Sequence, residues 1–192
     1  MDGFEAIYIG GFIIATIIRS YYGSQFKRDN IVVTKSENPL VYLGMVLWSV
    51  VLFLPFFTIF SDWLTFAYYT PYTLLQIVGA FVFITGLWIL WRSHVDLGRN
   101  FSPSLFIRNR HTLVTAGVYR TIRHPMYLSF LMWALGQALL ISNWLAGPLG
   151  LIAFALIYLF RIEREEKQLL ETFGDQYVSY QKVTGRLIPK LK

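Results

Sequence analysis

The stretch that most limits how this chain can fold is Leu40 to Phe60, twenty-one residues without one charged side chain. A helix of that composition has no polar face to turn toward water. About 20 consecutive apolar residues are what a helix needs to cross the hydrocarbon core of a bilayer, where every backbone polar group must be satisfied internally. Two further runs are similar: Phe4 to Ile18, ended by Arg19 and the Tyr21-Tyr22 pair, and Tyr72 to Trp91, flanked by Tyr68, Tyr69, Trp88 and Trp91 as aromatic belts. Pro55 inside the second run is tolerated in a membrane helix and is expected to kink it. Two shorter runs follow, Tyr127 to Ile141 and Leu151 to Phe160. Between them Ser142 to Gly150 contains Asn143, Gly147 and Pro148, a turn composition. The pair is expected to form a helical hairpin of short reach, since Tyr127 to Ile141 makes only about four turns.

The fold class is therefore an all-α integral membrane protein of about five transmembrane helices, the last two a hairpin. Beyond Phe160 the helix is expected to leave the membrane as Arg161-Ile-Glu-Arg-Glu-Glu-Lys167, keeping an apolar stripe of Ile162, Leu169, Leu170 and Phe173. Phe173-Gly174 is a helix stop, and Asp175 is expected to cap a short final helix through Tyr177 and Tyr180. The amino terminus has no basic region of the kind a cleaved signal carries, so the first run is expected to remain in place. The whole of 1–192 is expected to be one domain, with three apolar spans in 1–91 and the functional region in 92–192.

Positive charge sets the expected orientation. Of the 17 lysines and arginines, four lie between Arg19 and Lys35, six between Arg92 and Arg123, and seven from Arg161 onward. The amino terminus, the 61–71 link and the hairpin tip have none. This asymmetry places the amino terminus outside and the carboxy terminus in the cytoplasm. It also explains the net charge of +6 without nucleic acid as a partner. Cysteine is absent, which excludes disulfides, thiolate metal sites and a cysteine nucleophile.

One polar segment interrupts this pattern, His111 to Tyr127, and its second half, Arg120-Thr-Ile-Arg-His-Pro-Met-Tyr127, opens an apolar helix. Proline restricts His124 to extended geometry and suits the first helical position. The free N–H groups of the next turn then suit a carboxylate or phosphate. The hairpin should bring this segment against Arg161, Glu163, Glu165 and Glu166, with Arg161 and Glu165 on one helix face. The three histidines, 94, 111 and 124, lack metal-ligand spacing, and no metal site is expected. Nucleotide-binding glycine loops and a Gly-x-Ser-x-Gly element are also missing. Chemistry alone gives a membrane-interface site for an anionic or zwitterionic ligand.

Leu113 to Tyr127, then the hairpin, then Arg161-Ile-Glu-Arg-Glu-Glu166, Phe173-Gly-Asp-Gln-Tyr-Val-Ser-Tyr180 and Arg186-Leu-Ile-Pro189 together resemble the isoprenylcysteine carboxyl methyltransferases. The resemblance covers about the last 90 residues and is similar to a minimal, prokaryotic version. Ser129 stands where the family often has glycine. The Arg-His-Pro-x-Tyr element alone also resembles phospholipid N-methyltransferases and NADPH-dependent membrane sterol or lipid reductases.

The resemblance implies methyl transfer from S-adenosylmethionine to the carboxylate of an S-prenylated cysteine, drawn from the bilayer. It implies Arg161 as the residue holding that carboxylate. It implies an adenosine wall of His111, Thr112, Leu113, Val114, Gly117 and Tyr119. His124, Pro125, Met126 and Tyr127 would face the methionine end, and Glu165 the ribose or the ammonium. The location implied is the cell membrane in a prokaryote or the endoplasmic reticulum in a eukaryote. An N-methyltransferase would instead need a base, for which Glu163 or Glu166 is available.

Overall fold

The computed structural model describes residues 1–28, 32–35, 39–101, 106–108 and 112–190. Six helices carry the fold: α1 (Gly3–Arg28), α2 (Pro39–Phe60), α3 (Thr73–Leu97), α4 (Pro125–Leu140), α5 (Leu149–Phe173) and α6 (Asp175–Val183). A two-stranded antiparallel ribbon pairs β1 (Val32–Lys35) with β2 (Phe106–Arg108). Among the described residues α1, α2 and α3 are long and apolar enough to cross a membrane, and α4 is a shorter apolar helix.

The most extensive packing is between α3 and α4. Glycine allows it. A Cβ at Gly136 would lie 2.6 Å from Phe83 Cβ, and one at Gly79 would lie 2.6 Å from Leu139 Cβ. Close backbone approach through small residues is the usual basis of helix association in lipid, where apolar burial gives no preference for protein over solvent. Phe83 is fully buried there, 5.5 Å from the Tyr8 ring and 5.0 Å from Trp133 between ring centroids. Ser129, the departure from glycine, is accommodated: its hydroxyl donates to Met126 O at 2.7 Å, and its own carbonyl faces Gly86.

Pro55 lies inside α2, as expected. Proline has no N–H, so the Val51 carbonyl loses its helical donor. Gln137 of α4 supplies one, its Nε2 lying 3.4 Å from Val51 O and 2.6 Å from Ala146 O. The Tyr8 hydroxyl of α1 lies 2.8 Å from Leu52 O and 3.0 Å from Gln137 Oε1. Three helices thus meet on the polar atoms that one proline exposes.

Two expectations need correction. Helix α1 does not end at Arg19 but runs on to Arg28: Ser20 to Gln25 has no proline, and Gly23 alone lowers helix propensity without stopping the helix. Asp175 is not a cap: Gly174, at φ 49°, both ends α5 and precedes α6, and Asp175 sits in the first turn. There its charge favours the helix dipole.

The α2–α3 link folds in to meet the tip of the hairpin. Tyr69 N donates to Ser142 O at 3.2 Å and Trp144 N to Ala67 O at 3.0 Å. Asn143, fully buried, donates to Leu64 O at 2.8 Å and accepts from Leu145 N and Ala146 N at 3.0 Å. The opposite end of the bundle is tied by the β1–β2 ribbon and by the bridge from Ile122 to Gly185.

Candidate active site

At that ribbon end a cavity of about 480 Å³ opens between α1, α2, α4 and α5, within the range of small-molecule sites. One side is polar and aromatic, with Tyr119, His124, Tyr127, Arg161 and Glu165. The other is apolar, with Trp48, Leu52, Phe53, Phe130 and Trp133.

The local architecture follows from the sequence. His124 precedes α4 at φ −125°, ψ 60°, and Pro125 takes the first helical position. The Tyr127 hydroxyl donates to Glu165 Oε2 at 2.9 Å, and Arg161 Nε lies 3.6 Å from the same oxygen. Arg161 Nη1 also approaches Met45 Sδ of α2 at 3.5 Å. The hairpin has therefore brought the two halves of the motif together, with Arg161 and Glu165 one turn apart on the α5 face that meets Tyr127.

The mouth of α4 is not an open anion cradle. Acids of α5 face it: His124 Nδ1 is 3.9 Å from Glu165 and Nε2 is 3.3 Å from Glu166. The His124 N–H is used by Arg186 O at 3.0 Å. Sequence spacing could not show that α5 brings its own carboxylates to this mouth.

Glu166 lies beneath the cavity wall. It accepts from Arg123 Nε at 3.0 Å and from Arg186 Nε at 2.9 Å. Arg123 also donates to the carbonyls of Thr184 and Gln181. Burial pushes the Glu166 carboxyl up, but hydrogen bonds from His124, Arg186 and Arg123 outweigh it and hold the group at about 2. The same pairing raises Arg186. Behind them Arg123 N donates to Gly185 O at 2.8 Å and Gly185 N to Thr121 O at 3.1 Å. The carboxy-terminal segment is thus strapped across the start of α4.

The loop before α4 completes the wall. Thr112, Leu113, Val114 and Tyr119 line the cavity, as do Met126 and Tyr127. Thr112 N donates to Asn100 Oδ1 at 3.0 Å. Burial lifts the Tyr119 hydroxyl well above its ordinary range, so it is a neutral phenol there, and its carbonyl accepts from the Tyr180 hydroxyl.

Gly117 and Pro125 do not line the cavity; they shape it. Gly117 has φ 61°, and a Cβ there would sit 2.1 Å from Asp96 Oδ2. Only glycine lets Asp96 reach Val118 N, which it accepts at 2.8 Å while pairing with Arg92 at 2.7 Å. His111 lies outside the described residues. Arg19 of α1, by contrast, lines the cavity, its guanidinium 5.5 Å from the centre of the Phe130 ring. Sequence reasoning took it for the end of a span. Its position inside a membrane helix was the available signal, because intramembrane charges face cavities or partners.

Fold and site together define an α-helical membrane protein with a polar chamber bordered by an apolar trough. A family model described as "Isoprenylcysteine carboxyl methyltransferase (ICMT) family" matches residues 77–171. The chain is 37% identical over 134 residues to a probable protein-S-isoprenylcysteine O-methyltransferase of Oryza sativa subsp. indica, covering 66% of this chain and 68% of that one. It is 34% identical over 137 residues to the protein-S-isoprenylcysteine O-methyltransferase of Saccharomyces cerevisiae, covering 68% of this chain and 56% of that one. A solved structure described as the eukaryotic intramembrane Ras methyltransferase ICMT is similar at a TM-score of 0.56 and 30% identity, covering 81% of this chain and 54% of that one. This chain belongs to the isoprenylcysteine carboxyl methyltransferase family. The matches span about half the length of several of these longer relatives, 56% in yeast and 45% in an Arabidopsis thaliana homologue.

Proposed function

We propose that this protein is an S-adenosylmethionine-dependent carboxyl O-methyltransferase acting on the carboxylate of an S-prenylated cysteine. The observation that carries the reading is the meeting of Arg161, Glu165 and Tyr127 at the border between the polar and apolar halves of one cavity. The polar half fits the cofactor. Glu165 supplies an acid, and Tyr119 and Tyr127 supply aromatic faces, for a ligand that carries a sulfonium and an ammonium. Thr112 to Val114 offer backbone groups and apolar contacts to its adenosine. The apolar half fits an isoprenoid tail.

The bound cofactor supplies an electrophilic methyl group on a positively charged sulfur. The substrate carboxylate is already ionised at neutral pH, so no general base is needed. Transfer of that methyl to the carboxylate oxygen would leave the sulfur neutral and would need no proton moved by the protein. Arg161 orients the carboxylate by charge-assisted hydrogen bonds. Glu165, held by Tyr127 and facing Arg161, fixes the guanidinium plane. The surrounding rings exclude water, which favours a step in which opposite charges cancel.

An N-methyltransferase reading has less support. Glu166 is engaged with Arg123, Arg186 and His124, which hold its carboxyl low and make it a weak base for an ammonium proton. Glu163 is exposed and does not line the cavity. The reading extends to five crossings, with the amino terminus outside and the site cytoplasmic, and to 1–192 as one catalytic unit.

The test is methyl transfer from tritiated S-adenosylmethionine to N-acetyl-S-farnesylcysteine by the detergent-solubilised protein. A base-labile ester is expected; a base-stable product would overturn O-methylation. S-adenosylhomocysteine is expected to raise the melting temperature while NADPH does not, and the reverse would favour a reductase.

A further inference from the structure

Among the described residues, the cavity carries one positive charge that its own acids do not balance. Arg123 is held by Glu166, and Arg161 is flanked by Glu165 at 3.6 Å. Arg19 lines the same cavity as Arg161. Among the described residues it makes no ion pair and no hydrogen bond; its one partner is the face of Phe130. The acids of its own helix, with Asp2 just before it, stand at the far end, where Glu5 accepts from Asp2 N. The helix continues for nine residues beyond Arg19 to Arg28, so this cation is not a helix terminus at the headgroups. Intramembrane cations face a partner or a pathway, and here the face is a ligand cavity.

Its depth distinguishes two anionic partners. Phe130 follows Tyr127 by three residues, about 4.5 Å farther along α4. Arg19 over Phe130 therefore sits beyond the Tyr127–Glu165 pair, toward Trp48, Leu52 and Phe53. An amphiphile whose tail occupies that trough places its acidic head between Arg19 and Arg161. On the other side of Arg161 the polar half, with Tyr119, His124 and Glu165, suits the cofactor's ammonium and sulfonium, which leaves the substrate's carboxylate as the anion for Arg19.

We propose that Arg19 is a substrate-anchoring residue, forming with Arg161 the two arms that hold the substrate carboxylate where the polar and apolar halves of the cavity meet. The proposal rests on the carboxyl methyltransferase reading and deepens it. It also assigns part of substrate recognition to α1, which lies outside residues 77–171 matched by the family model.

The test uses the full chain in detergent and two probes, N-acetyl-S-farnesylcysteine and its neutral carboxamide, with S-adenosylhomocysteine binding as the measure of an intact fold. Wild type is expected to prefer the carboxylate. Arg19→Gln is expected to weaken carboxylate binding about tenfold or more, the range for a hydrogen bond to a charged group. Carboxamide and S-adenosylhomocysteine binding should stay within about twofold. Arg19→Lys should recover part of the preference. Equal weakening of both probes would make Arg19 a packing residue and overturn the proposal. So would loss of S-adenosylhomocysteine binding with the preference intact, which would assign Arg19 to the cofactor. An unchanged Arg19→Gln would leave it a lipid-phosphate contact and equally overturn it. A wild type that ignores the charge of the probe would sink the methyltransferase reading itself, an outcome separate from a preference that survives Arg19→Gln.

Discussion

Glu166→Gln isolates the contribution of the charge cluster beneath the site. The substitution keeps the side chain's shape and removes the charge shared by Arg123, Arg186 and His124. A carboxyl held at about 2 instead of its ordinary 4.5 corresponds to at most ~3.5 kcal/mol, at ~1.4 kcal/mol per tenfold change in proton affinity. Arg186 is 46% exposed and contributes little of that, whereas Arg123 is 8% exposed and would be left buried without its counter-charge. A loss of about 2–3 kcal/mol is therefore expected. The sign in pH follows from the depressed value. The stabilisation is complete above about 4.5 and is lost as pH falls toward about 2, where folded Glu166 takes up its proton. Thermal melting of both proteins in the same detergent should show a full gap at neutral pH that closes between about 4.5 and 2. A gap of the same size at pH near 2 would refute the assignment of this stability to the ionised carboxylate.

Three further outcomes follow from the geometry. Arg161→Ala is expected to abolish ester formation while S-adenosylhomocysteine still binds; equal loss of both in a titration would move Arg161 into the cofactor site. Gln137→Leu removes the donor to Val51 O and Ala146 O, and should cost about 1–3 kcal/mol in melting experiments; no change in the melting temperature would show that the proline carbonyl finds another donor. Gly117→Ala should cost about 1–3 kcal/mol, from a strained backbone and a clash with Asp96. Its signature is weaker S-adenosylhomocysteine binding through a displaced Val118–Arg120 turn, and calorimetry giving wild-type affinity would contradict that.

Much of this molecule was legible in its residues because two signals are one-dimensional. Uncharged length marks a helix in lipid, and α2, α3 and α4 begin or end within a few residues of where hydropathy placed them. The turn at Asn143, Gly147 and Pro148 brought Arg161 and Glu165 to Tyr127, as sequence order required. What was not legible depends on facing. Hydropathy treats Arg19 as the end of a span, since it registers a charge and not the cavity that the charge enters. Gly117 falls in a motif of ligand-lining residues, yet its role is to admit Asp96, twenty-one positions away. Glu166 differs from Glu165 by one residue, about 100° around the helix. That rotation separates a carboxylate facing the cavity from one locked beneath it. The β1–β2 pairing joins two short runs more than seventy positions apart, and nothing in either run names its partner.

The proline in α2 also bears on the order in which the fold settles. Helix α2 is synthesised well before α4, yet the amide that serves its Val51 carbonyl belongs to Gln137. An unserved carbonyl in hydrocarbon costs several kcal/mol. Until the hairpin enters, the middle of α2 must stay near water, bind a transient partner or remain partly open. The second helix to be made is thus among the last to reach its final shape. A substitution in the hairpin can accordingly appear, during insertion, as a defect in a helix some eighty residues upstream.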